Sequence, residues 1–145
     1  MVLSQDHLEK LHLEDSNENT KARFPVQNVV RPKTDDFHDY RGYAGKLYGG
    51  DLAVGDQVSI LPSNTTSTIK SIDFFDTSYT IGKSGSSISL TLEDDVNISR
   101  GNMLVKKGEE PKIVKQLDAT ICWMDKTPLQ ASQKYYIKHG INDAQ

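Results

Sequence analysis

Turn-forming residues divide most of this chain into short runs, at Arg31-Pro32, Gly49-Gly50-Asp51, Leu61-Pro62-Ser63-Asn64, Gly82 to Gly85 and Lys107-Gly108, a punctuation typical of an all-β sandwich or barrel. Segments this short leave room for strands and little room for helices. Between the turns the runs are β-branched and often alternate: Val26 and Val30, Val58 and Ile60, Ile69 and Ile72, Ile88, Leu90 and Leu92, then Leu104 and Val105. A period of two places these on one buried face and Gln57, Ser59, Ser87, Ser89 and Thr91 on the other. No stretch after Phe24 holds a helical period over ten residues. The expectation is an all-β fold, a small closed β-barrel of about six to eight strands whose closure removes exposed edges.

The first 22 residues differ from the rest. Of 17 Lys+Arg and 20 Asp+Glu in the 145 residues, this leader holds five acids (Asp6, Glu9, Glu14, Asp15, Glu18) and two bases (Lys10, Lys21), which accounts for the net −3. Residues 23–145 are balanced, 15 against 15. Leu8 and Leu11 would share a helix face, but so short a stripe does not hold an isolated helix in water. Residues 1–22 therefore read as a leader or linker and 23–114 as the barrel. In 115–145, Leu117 to Met124 and Gln133 to His139 read as two strands joined by Asp125-Lys126-Thr127-Pro128-Leu129. A lone hairpin is marginal in water, so this one needs a surface to pack on.

Several kinds of chemistry are excluded or disfavoured. The single Cys122 forms no intramolecular disulfide and no multi-cysteine metal site. His7, His12, His38 and His139 stand in no metal-binding spacing. Charge balance argues against nucleic acid. No apolar run approaches the roughly 20 residues of a membrane span, and the N-terminus has no signal-peptide pattern. The expected location is cytoplasmic. Gly82-Lys83-Ser84 imitates the end of a phosphate-binding loop, but Thr77 stands where that motif needs its first glycine, so a glycine-rich hairpin turn is expected between Tyr79-Thr80-Ile81 and Ser87-Ile88-Ser89. Glu93-Asp94-Asp95 reads as a solvated turn. Of Cys122 and Trp123, on opposite faces of a regular strand, core packing explains one. Asn64-Thr65-Thr66 and Asn97-Ile98-Ser99 match the glycosylation acceptor without meaning in a cytoplasmic chain.

What remains is a set of glycines beside arginines: Arg41-Gly42-Tyr43-Ala44-Gly45, Gly49-Gly50-Asp51-Leu52-Ala53-Val54-Gly55-Asp56-Gln57-Val58 and Ser99-Arg100-Gly101-Asn102. Gly42, Gly45, Gly50, Gly55 and Gly101 are assigned to structural turns. Arg41 and Arg100 each precede a glycine, and an arginine fork pairs well with carboxylates across an interface, so both are candidate inter-domain or inter-subunit contacts.

The stretch Gly50 to Val58 resembles the second domain of translation-factor GTPases such as elongation factor Tu. The segments Ala22-Arg23-Phe24-Pro25-Val26-Gln27-Asn28-Val29-Val30-Arg31-Pro32, Tyr40 to Gly45, Val58 to Ser63, Asp95 to Gly101 and Trp123-Met124 resemble the large, GTPase subunit of bacterial sulfate adenylyltransferase, from about Arg23 to Gly140. Asn28 stands where an aromatic is frequent, and the Thr34-to-Asp39 insert is longer than in some relatives. The resemblance implies a piece of an enzyme of sulfate assimilation that joins ATP and sulfate into adenylyl sulfate and pyrophosphate, driven by GTP hydrolysis. It implies that 1–22 is the tail of the GTPase domain and 115–145 the first hairpin of a truncated third domain. GTP and Mg would belong to the GTPase domain and ATP to a small catalytic partner subunit. This stretch would hold no catalytic residue, cofactor or metal, and would couple the GTPase domain to that partner without contacting nucleic acid or membrane. Asp39-Tyr40-Arg41-Gly42 imitates a switch motif but has no GTPase domain around it. A stand-alone β-barrel binding module, an RNA-contacting domain 2 and the kinase-fused form of the enzyme remain open alternatives.

Overall fold

A computed structural model of the chain describes residues 20–31, 41–75, 77–131, 133–139 and 142–144. Most of the leader, the Thr34-to-Asp39 insert, Asp39-Tyr40 and three of the histidines (His7, His12, His38) lie outside them. The strands are β1 (Arg23–Val30), β2 (Gly42–Lys46), β3 (Leu52–Ala53), β4 (Gln57–Leu61), β5 (Thr65–Phe74), β6 (Thr77–Tyr79), β7 (Ile81–Gly82), β8 (Ser87–Leu92), β9 (Met103–Lys106), β10 (Ile137–His139) and β11 (Asn142–Ala144).

Pairing runs β4-β9-β1-β2-β8-β5, with β6 beside β5, and β5 also pairs with β4, so the ladder returns to its start. All these pairs are antiparallel. Two strands serve both halves of the ring. Residues Arg23 to Pro25 of β1 pair with β9, and from Val26 onward β1 pairs with β2. Gln57 to Ile60 of β4 pair with the first part of β5, while Ile69 to Asp73 of β5 pair with β8. The small β3–β7 ribbon is a separate sheet.

The core is formed by the alternating apolar residues, among them Phe24, Val26, Tyr43, Leu52, Val58, Ile60, Leu90 and Leu104. Departures from strict alternation have a local cause. The register of β1 shifts between Val26 and Asn28. That bulge turns Val29 toward the core, while Val30, expected inside, is 37% exposed. A second shift between Ile69 and Ser71 lets Ile69 and Ile72, three apart, both point inward. Val105 is buried but lies outside the core cluster that holds Leu104. Ser59 and Thr91, expected on the wet face, are buried. The Ser59 hydroxyl donates to Glu110 Oε1 at 2.6 Å, and Thr91 shares a 2.7 Å hydrogen bond with Ser71, which removes the cost of burying an unpaired hydroxyl.

Three further expectations are corrected. The segments around residues 83–86 do not form a hairpin with each other: β7 pairs with β3 and β8 with β2 and β5. Residues 117–124 form no strand, and Ile137–His139 pairs instead with Asn142–Ala144. A strand needs a ladder partner and cover for its apolar side chains, and among the described residues 117–124 has neither, with Leu117, Ile121 and Met124 exposed. Cys122 and Trp123 are both exposed, so neither is core.

Candidate functional site

Two polar constellations brace the barrel, and both involve residues singled out from the sequence. Arg41 enters β2. Its Nη1 donates to Asp95 Oδ1 at 2.5 Å and to the Val96 carbonyl at 2.9 Å, and the Tyr43 hydroxyl donates to the same carbonyl at 3.1 Å. Arg41, just before β2, and Tyr43 within it thus hold the loop after β8. Burial raises the Tyr43 phenol above its usual value, against the opposing pull of the Arg41 guanidinium. Glu93-Asp94-Asp95 is exposed as expected, but Asp95 receives Arg41 and Asp94 accepts from the Ser67 hydroxyl at 2.8 Å.

The second constellation is the Gly82-Lys83-Ser84-Gly85 stretch. Asp51 accepts from Lys83 Nζ at 2.6 Å and from the Ser84 backbone N–H at 2.9 Å. These contacts hold the Asp51 carboxyl below its usual range, the lysine bond foremost. The Gly85 N–H is committed to the Leu47 carbonyl and the Ser86 N–H to the Lys83 carbonyl. A carboxylate of the chain itself therefore takes the ammonium and the amide that a phosphate would need, and the residues present do not fit a nucleotide phosphate.

The glycines divide into two groups. Gly55 and Gly101 lie in turns with φ of +89° and +95°. Gly42 and Gly45, assigned to turns, lie inside β2, and Gly50 precedes β3 without a positive φ. The turn at Gly55 is tied by the Ala53 N–H donating to Asp56 Oδ2 at 2.8 Å, and Lys106 Nζ reaches the same oxygen at 3.0 Å. The Gly50-to-Val58 motif thus carries a turn and a strand start, with Leu52 and Val58 in the core. Arg100 is exposed in the turn before β9.

Asp51, Asp56, Tyr43 and Glu110 were not singled out from the sequence. Each has a partner far off in the chain, 53 residues away for Tyr43 and 51 for Glu110, and no local spacing marks such pairs. Among the described residues no group of three or more His, Cys, Asp or Glu could hold a metal ion. No helix among them is long and apolar enough to cross a membrane.

This arrangement of strands is that of the β-barrel domain of translation factors. Translation elongation factor SelB from Methanococcus maripaludis, in its apo form, superposes with a TM-score of 0.55 at 23% identity, over 71% of this chain and 22% of that one. Sup35 complexed with GMPPNP gives a TM-score of 0.55 at 20% identity, over 71% and 24%. At these identities the likeness concerns the fold. No family model matches the chain.

The chain is homologous to one segment of sulfate adenylyltransferase subunit 1. It is 42% identical to that protein from Colwellia psychrerythraea (strain 34H) over 121 residues, 83% of this chain and 25% of the relative. It is 44% identical to that from Sodalis glossinidius over 133 residues, 92% and 27%. The bifunctional enzyme CysN/CysC of Mycobacterium tuberculosis is 37% identical over 134 residues, 92% and 22%. The chain therefore spans about a quarter of the length of these relatives.

Proposed function

We propose that residues 23–114 are the second-domain barrel of a sulfate adenylyltransferase large subunit, with 1–22 the tail of its GTPase domain and 115–145 the opening of its third domain. The observation that carries this reading is 37–44% identity to subunit 1 and to the bifunctional enzyme over 92% of the chain in two of these relatives and 83% in the third. The whole protein, with a small catalytic subunit, forms adenylyl sulfate and pyrophosphate from ATP and sulfate. GTP hydrolysis in the GTPase domain drives that step, with Mg²⁺ held there and ATP in the partner.

The barrel contributes no reacting group. γ-Phosphate loss rearranges switch segments in GTPases, and a stiff barrel passes that change on by the way it docks. Arg41 shapes the docking surface by holding Asp95 and Val96. Arg100, exposed beside Gly101, is the candidate contact to a neighbouring domain or subunit.

The test is pyrophosphate release from ATP and sulfate by the product of the full reading frame combined with the small subunit, with and without GTP. GTP-dependent release is expected. No release above background would refute the assignment. In the same assay Arg100→Ala should raise the GTP hydrolysed per adenylyl sulfate formed, and an unchanged ratio removes Arg100 from the interface.

A further inference from the structure

We propose that Gly49 and Gly50 form a cradle that grips the entering chain at Thr20 to Ala22, ahead of β1, so that a displacement delivered through Thr20 is passed to the barrel as a whole. The grip is read from this chain alone. Its part in coupling rests on the assignment of residues 1–22 to a GTPase domain.

Two glycines stand where the entering backbone passes. A Cβ on Gly49 would overlap the Lys21 carbonyl oxygen and lie 2.8 Å from Thr20 Oγ1, and one on Gly50 would lie 2.9 Å from the Thr20 carbonyl oxygen and 3.2 Å from the Ala22 nitrogen. Gly49 has a φ of +75°, which by itself favours glycine. Gly50 has no positive φ, so the close approach of Thr20 and Ala22 is what calls for glycine there. Immediately past the cradle the chain is tied in. Ala22 is 2% exposed and belongs to the core, and Arg23 and Tyr48 exchange N–H to carbonyl bonds of 2.9 Å in both directions.

The cradle is itself held on both sides by the turn at residues 83–86. Before the glycines, the buried Leu47 donates its N–H to the Ser86 carbonyl at 2.9 Å and accepts from the Gly85 N–H at 2.7 Å. After them, Asp51 accepts from Lys83 Nζ and from the Ser84 N–H. The stretch that imitates a phosphate-binding loop is therefore a buttress: it fixes Leu47 and Asp51 and keeps the two glycines between them against the entering backbone. Cradle, turn and β1 form one stiff unit, with no slack joint between Thr20 and the first strand.

Lys21 is exposed, but trypsin can cut after it only when the Lys21–Ala22 bond leaves the barrel, since Ala22 is buried. The rate of that cut, read by mass spectrometry as release of residues 1–21, tracks the fraction of molecules whose grip is open. In Gly50→Ala the clash is relieved by Thr20, which lies in no strand, so the cut should become about tenfold faster or more. Hydrogen exchange at Leu90 and Leu104 should stay unchanged. Asp51→Ala, which weakens the buttress and leaves both glycines, should speed the cut by a smaller factor, and an unchanged rate there removes the turn from the proposal. An unchanged rate in Gly50→Ala overturns the grip. So does faster cleavage with lost protection at Leu90 and Leu104, which would mean that the glycine serves the barrel and not the entering chain. In the product of the full reading frame combined with the small subunit, Gly50→Ala should also raise the GTP hydrolysed per adenylyl sulfate formed. Faster cleavage with an unchanged ratio overturns the coupling role, whereas no pyrophosphate release by the unsubstituted complex refutes the assignment to sulfate adenylyltransferase and leaves the grip to the cleavage result.

Discussion

Replacing Gly45 by alanine tests whether β1 and β2 approach as closely as described. Gly45 lies opposite Val26 in the β1–β2 ladder, and a Cβ on it would stand only 2.3 Å from the Pro25 carbonyl oxygen and 3.1 Å from the Phe24 ring. The first obstacle is backbone. It cannot swing aside, because Pro25 is also paired with Met103 of β9. Relief must come from shifting β1 against two neighbours, an overpacking cost of about 3 kcal/mol.

Gly55 is the control. Its φ is +89° but nothing lies within 4 Å of an added Cβ. Alanine there meets a left-handed penalty of about 1–2 kcal/mol, offset by roughly 0.4–1 kcal/mol from a stiffer unfolded chain. The net cost is on the order of 1 kcal/mol. With a urea m-value of about 2 kcal/mol/M, the midpoint should fall by about 1.5 M for Gly45→Ala and about 0.5 M for Gly55→Ala. Far-UV circular dichroism is the proper probe, since Trp123 stands outside the core. If Gly55→Ala proves as costly as Gly45→Ala, or costlier, the close approach is wrong.

Phe75 is 88% exposed and holds φ of +51°, costly for an aromatic residue, so Phe75→Asn should stabilise the chain by about 1 kcal/mol in the same titration despite losing the Phe74 contact. A loss of stability would show that the ring pair matters more than the backbone. The folded Asp51 carboxyl lies below its unfolded value of 3.8, so its contribution is present above that pH and disappears as pH falls through the lower, folded value. Asp51→Asn should accordingly flatten the acid limb of the stability profile below about pH 4, and an unaltered limb would rule out the Lys83 and Ser84 contacts as its cause. Adding GTP with Mg²⁺ should leave the melting temperature of this chain where it was, because Asp51 already holds Lys83 and the Ser84 amide; an upward shift would reveal a nucleotide site by mass action.

Fold class was legible because alternation is a local property. Val58 and Ile60, or Leu90 and Leu92, mark a core-facing side without reference to any other strand, although Ser59 and Thr91 between them prove buried as well. The misplacement of Val30 came from a bulge, which shifts the period by one residue and leaves no mark in composition. Gly45 looks like a turn glycine in the sequence, whereas what requires it is the close approach of Pro25, 20 residues earlier in the chain. The Asp51–Lys83 pair leaves no local mark for the same reason, its members being 32 residues apart. Leu117 to Met124 reads as a strand in the sequence, yet a strand exists only where a second one accepts its hydrogen bonds.

The sharing of β1 and β5 between both halves of the ring has a mechanical consequence. In a sandwich, two sheets can part along the layer between them while each keeps its own ladder. Here any such parting would have to tear one ladder or the other along β1 and again along β5, because covalent backbone crosses the divide at Val26 and near Ile69. The barrel has no seam. It should melt as one cooperative unit, its protected amides exchanging together, and under load it should turn as a single body rather than shear.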